Sequence, residues 1–171
     1  MYKRQVLSSQ YNSDGTQISI LFDKPTDRGA QFIPSYASSF SCHHVLSFSG
    51  IMNDAVCKWT TESTLVITLG SEVSSSVVLP SVDDEIYLLG NILRSKCSSY
   101  ITLSCSSYEA TPLTNITIDA PIDPILPSLQ LLAASTVNYC DDIYLYPEGS
   151  TGFAGRKSVS YTHLRAHETL M

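Results

Sequence analysis

Five cysteines and four histidines are the residues of this chain best equipped for chemistry. Cys42 and Cys57 enclose a short segment that carries His43 and His44 and leads into Trp59. Thiolate and imidazole are both zinc ligands, so Cys42, His43, His44 and Cys57 make a candidate tetrahedral site. The same two cysteines can instead close a disulfide. Adjacent histidines on an extended chain point to opposite faces, and the Cys-x2–4-Cys knuckle of zinc sites is missing, so the bridge is the favoured reading. Such a bridge stabilises by constraining the unfolded chain, by about 3 kcal/mol. The Cys-x-Trp spacing of Cys57 and Trp59 also suits an indole packed beside a disulfide, a device of many β-sandwiches.

Cys97 and Cys105 flank a strand-like run at Tyr100–Leu103 and form the second disulfide candidate, although four cysteines allow three pairings. Cys140 is then unpaired within the chain. Disulfides persist in oxidising compartments, which points outside the cytosol. Asp83-Asp84-Glu85 and Asp141-Asp142 are the acidic clusters. Calcium needs six to eight oxygens converging from several segments, and neither cluster alternates acids around a central glycine; both read as solvated turns. Serines are plentiful, but no G-x-S-x-G elbow and no phosphate-cradling glycine loop are present. The expectation is therefore a protein without catalytic residues, metal or cofactor. Asn115-Ile116-Thr117 is an N-glycosylation sequon and marks Asn115 for the surface.

The two ends carry a different signature. Tyr2-Lys3-Arg4-Gln5 is similar to a translation of TAT AAG AGA CAG, the end of a transposase sequencing adapter. VSYTHLRAHET, Val159 to Thr169, is similar to the opposite adapter read through. Segments of this origin are set aside before a fold is read. Residues 1–5 and 159–171 are thus expected to be adapter-like, which removes His163 and His167, with Glu168, as a metal pair at helical spacing. The remaining sequence is expected to be a fragment of a longer protein.

Positioning these residues falls to strands. Hydrophobic content is 43% and charged content 15%, enough for a packed core and too apolar for disorder. Net charge is −6, with no basic stripe to follow a phosphate backbone, so nucleic acid is not an expected partner. No apolar run reaches membrane-span length. The dominant period is two: Ile18, Ile20 and Phe22 fall on one face, as do Leu65, Ile67 and Leu69. Further runs are Glu85–Leu89, Tyr100–Cys105, Asn115–Ile118 and Ile143–Tyr146, rich in β-branched and aromatic residues. Asn12-Ser13-Asp14-Gly15 predicts a turn joining Val6–Tyr11 to Thr16–Phe22 as a hairpin. Gly70, Pro80 and Gly90 punctuate the later runs, and Phe40–Leu46 has room for one helical turn at most. These features predict an all-β sandwich over residues 6–120. Pro121, Pro124 and Pro127 predict an extended linker over 121–127. Residues 128–158 then read as the first strands of a second, truncated domain.

Taken in order, SDGTQISILFDKPTD (Ser13–Asp27), Cys42, CKWTTESTLVITLG (Cys57–Gly70), DDEIYLLGNILRS (Asp83–Ser95), APIDPILP (Ala120–Pro127) and CDDIYLYPEGSTGFAGR (Cys140–Arg156) resemble the receptor for egg jelly (REJ) module. The resemblance covers roughly Val6 to Lys157, and the Cys97/Cys105 insertion is the part that departs from it. It implies immunoglobulin- or fibronectin-like sandwiches on the extracellular side of a larger, membrane-anchored, polycystin-like or protist surface protein. For the truncated second domain at 128–158 it implies an immunoglobulin- or PKD-like sandwich. The implied roles are adhesion, ligand sensing or spacing, with an unknown protein or glycan ligand and membrane attachment through other parts of the parent chain. No catalytic or binding residue comes with the resemblance. The alternative expectation is a secreted carbohydrate-associated module attached to a hydrolase, with tyrosines stacking on sugars.

Overall fold

The computed structural model describes residues 5–48, 55–70, 78–96, 108–133, 135–136, 144–146 and 149–153. The chain opens with β1 (Val6–Tyr11) and β2 (Gln17–Phe22), an antiparallel hairpin pairing Tyr11 with Ile18 and Val6 with Phe22. Its turn is built by side chains. Asn12 Oδ1 accepts from the Gln17 amide at 3.0 Å, and Asp14 Oδ1 accepts from the Thr16 amide at 2.9 Å. Gly15 takes φ 70°, a conformation glycine reaches without the Cβ clash that penalises other residues.

After a long irregular segment come β3 (Ser39–Ser41), one 3-10 turn at Cys42–His44 and β4 (Leu46–Phe48). β5 (Val56–Trp59), β6 (Thr64–Thr68), β7 (Glu85–Leu88) and β8 (Thr114–Thr117) complete the main body. The strands form two antiparallel sheets, one in the order β1-β2-β6-β5-β3 and one in the order β4-β7-β8. In a constant-type immunoglobulin sandwich the sheets run A-B-E-D and C-F-G. Here β1, β2, β6 and β5 take the first order, and β4, β7 and β8 take the second. β3 is an added strand on the free side of β5.

The core fills the space between the sheets. Ile18, Ile20, Phe22, Leu65, Ile67, Cys57 and Trp59 come from one sheet, and Leu46, Ile86, Leu88 and Ile116 from the other. Alternation along each strand places them there, and burying each large aliphatic side chain contributes about 1.5–3 kcal/mol. One seam is closed across the sheets. Tyr11 donates to the Asp119 carbonyl at 3.1 Å and Asp119 donates to Ser9 at 2.7 Å, a parallel bridge joining the end of β8 to β1.

The segment Phe40–Leu46 holds the one helical turn it was expected to have room for. Phe40 lies within β3, the turn is confined to Cys42–His44, and Leu46 begins β4. Three-residue strands are too short to display a period of two, so ladder pairing decides them.

The core ends at Ile118. Residues 121–127 form no strand, and Ile122 is 89% exposed. Beyond them β9 (Leu132–Ala133) pairs with β10 (Leu145–Tyr146), and Ser128 exchanges backbone hydrogen bonds with Thr151 at 3.0 and 2.9 Å. Leu129, Leu131, Leu132, Tyr144 and Tyr146 of this ribbon are exposed. The Ile125 amide donates to Ser13 at 2.8 Å, tying the proline segment to the β1–β2 turn.

Candidate functional site

The chain leaves the five-stranded sheet and enters the three-stranded one at Cys42–Val45. Cys42 continues the β3–β5 ladder, donating its amide to Ala55 at 3.1 Å. Val45 closes the 3-10 turn onto the Cys42 carbonyl and accepts from the Leu89 amide at 2.9 Å, just past β7. A disulfide joins Cys42 to Cys57, their Cα atoms 4.9 Å apart and both side chains fully buried. That separation is ordinary for a bridge. The bond therefore pins the crossing between the sheets to β5.

Trp59 lies two residues along β5 on the same buried face, its ring 5.7 Å from Phe22 and tilted by 37°. Its indole Nε1 has no hydrogen-bond partner among the described residues, although Trp59 is only 7% exposed. His43 and His44 turn outward, and His43 meets Phe48 edge-on at 6.5 Å. With both sulfurs bonded to each other, Cys42 and Cys57 offer no thiolate to zinc. Neither imidazole hydrogen-bonds to a hydroxyl among the described residues.

The acidic run Asp83-Asp84-Glu85 is distributed by its turn. Asp84 accepts from the Ser81 amide at 2.7 Å, and Asp83, at φ 71°, donates its own amide to Ile118 at 2.9 Å. Glu85 accepts from the Tyr87 hydroxyl at 2.9 Å, which raises the phenol above its usual range. Cys97, Cys105, Cys140, Asp141, Asp142, His163 and His167 lie outside the described residues.

Asn115 stands on β8, the strand at one side of the three-stranded sheet. Its neighbour Ile116 enters the core, so Asn115 and Thr117 face outward and are exposed. Register places Tyr87 directly opposite Asn115 and Glu85 opposite Thr117. Leu113, two residues before Asn115, is 66% exposed. The sequon was legible in the sequence, but its cross-strand neighbour was not, because register requires the fold.

One polar cluster had no sequence motif to announce it. Asp27 Oδ1 accepts from the Gly29 amide at 3.0 Å and the Arg94 amide at 2.8 Å. Arg94 donates to the Tyr108 carbonyl at 2.8 Å, and the Arg28 guanidinium lies 5.1 Å from the Tyr36 ring centroid. Lys96 pairs with Glu62 beside it. These contacts tie the irregular segment after β2 to the one after β7, with buried Thr26 donating to Glu62 between them. They organise loops.

No family model, no curated protein and no solved structure matches this chain.

Proposed function

We propose that this chain is a non-enzymatic extracellular module of a larger, membrane-anchored surface protein resembling the polycystin-like and REJ-containing proteins. It would act in adhesion, in ligand sensing or as a spacer, with a protein or glycan as ligand. The observation that carries the reading is the buried Cys42–Cys57 bridge at the crossing between the sheets. A structural disulfide in a core position belongs to an oxidising compartment.

The segments that carry the resemblance support it further, because they are framework. Ser13–Asp27 spans the first hairpin turn and β2, Cys57–Gly70 spans β5 and β6, and Asp83–Ser95 contains β7. Sandwiches of this topology bind through the loops at their ends. The segment 128–158 is assigned to the start of a second sandwich, its exposed leucines and tyrosines meeting strands supplied by the parent chain.

Recovery of the full-length transcript tests the proposal. A membrane-spanning region or further sandwich repeats in the same reading frame support it. A frame encoding a cytosolic protein with neither would overturn it, and an adjoining hydrolase domain would move the assignment to the carbohydrate-associated class.

A further inference from the structure

We infer that Asn115 is an acceptor for an N-linked glycan whose first sugars cover the outer face of β8 and its neighbour β7. The inference rests on the extracellular reading, since the transfer takes place in the secretory pathway. Three independent features of the fold converge on it.

Asn115-Ile116-Thr117 is the single Asn-x-Ser/Thr tripeptide of the chain. A sequon is useful only where a folded protein can tolerate the attached sugar, and here alternation sends Ile116 inward and both functional side chains outward. The Asn115 amide makes no side-chain hydrogen bond among the described residues, so nothing is broken by derivatising it. β8 also has no partner strand on its other side over Thr114–Thr117 among the described residues. A free edge of this kind invites pairing with another chain, and bulky polar cover is a way to prevent that.

The surroundings suit a sugar. Tyr87 lies opposite Asn115 and is partly exposed, while Leu113, two residues before Asn115, is 66% exposed. Hydrogen bonding to Glu85 holds the Tyr87 hydroxyl along the strand, leaving a ring face and an aliphatic side chain for the apolar face of the first sugar. In the transfer, the Asn115 amide nitrogen attacks the anomeric carbon of a lipid-diphosphate-linked oligosaccharide. A C–N bond forms, the C–O bond to the diphosphate breaks, the lipid diphosphate leaves with the electron pair, and the amide gives up one proton.

The test expresses the whole chain behind a secretion leader in a eukaryotic host and maps peptides by mass spectrometry. The expected result is secreted protein carrying one glycan at Asn115. Treatment with peptide-N-glycosidase should remove one mobility step and convert Asn115 to aspartate. Asn115→Gln and Thr117→Ala should lose the step, while Thr117→Ser retains it. Nitration of Tyr87 should be several-fold slower before deglycosylation than after. Secreted protein with Cys42 and Cys57 bridged but Asn115 unmodified overturns the inference and leaves the extracellular reading standing. Equal nitration of Tyr87 in both forms overturns the covering of β7. Protein retained in the cell with both thiols free would instead count against the extracellular reading itself.

Discussion

Gly29 shows how much a single position can decide. It sits at φ 67°, and a Cβ there would come within 2.5 Å of Ile33 Cδ1. Gly29→Ala should destabilise the fold by at least about 1–2 kcal/mol from the left-handed backbone alone, read as a lower midpoint in urea. Trp59→Ala empties a core position against Phe22 and should cost about 3–5 kcal/mol. Replacing Cys42 and Cys57 together by alanine removes a link across a sequence separation of 15 and should cost about 3 kcal/mol. Asp14 gives a pH-dependent case. Hydrogen bonds from the Thr16 side chain and amide lower its pKa below the ordinary 3.8. Its folded value is the lower one, so its contribution is complete above 3.8 and is lost as pH falls through the folded pKa. The stability gap between the wild type and Asp14→Asn should therefore be constant near neutrality and narrow below pH 3.8. Because Asp14 is exposed, solvent screening keeps that gap small. At this scale the sequence was informative wherever a residue's role is local. Asn12, Asp14 and Gly15 announce a turn by their own chemistry. Asp27 does not, because one of its two amide partners, Arg94, is brought to it only by the fold.

The elements were legible in proportion to their length and alternation. β2 and β6 span six and five residues, and Ile18, Ile20, Phe22, Leu65 and Ile67 are buried on the faces where the sequence placed them; β1 and β7 also alternate, but no face was assigned to them from the sequence. β3 and β4 have three residues each, too few for their alternation to stand out in the sequence; they pair with the ladders that β5 and β7 offer. The pairing of Tyr87 with Asn115 was equally hidden, since a shift of one residue would place Tyr87 on the other face. The β9–β10 ribbon is the element least able to stand alone. A two-stranded ribbon is marginal in water, and this one leaves Leu129, Leu131, Leu132, Tyr144 and Tyr146 exposed. Deleting residues 128–158 should raise the soluble fraction on expression while leaving the thermal midpoint of the sandwich close to that of the intact chain. Equal solubility of the two forms would contradict the boundary at the proline segment.

Across the whole molecule, two sheets in the order β1-β2-β6-β5-β3 and β4-β7-β8 enclose one core. The all-β class was readable from short alternating runs and frequent turns. Strand order was not, since it depends on the chain crossing between sheets at Cys42–Val45 and on the parallel bridge of Gln10 with Asp119. Of the proposed site, the sequence showed Asn115 and the two cysteines, and the fold supplied their consequences: one on a free edge, the other two locking the crossing. The zinc reading and the disulfide reading used the same residues, and sulfur–sulfur bonding separates them. That bond also links architecture to compartment, which makes it the central claim. The most direct test is disulfide mapping of protein isolated from its source with thiols alkylated before lysis. The account predicts a Cys42–Cys57 linked peptide that separates only on reduction. Recovery of both cysteines alkylated without reduction would contradict it.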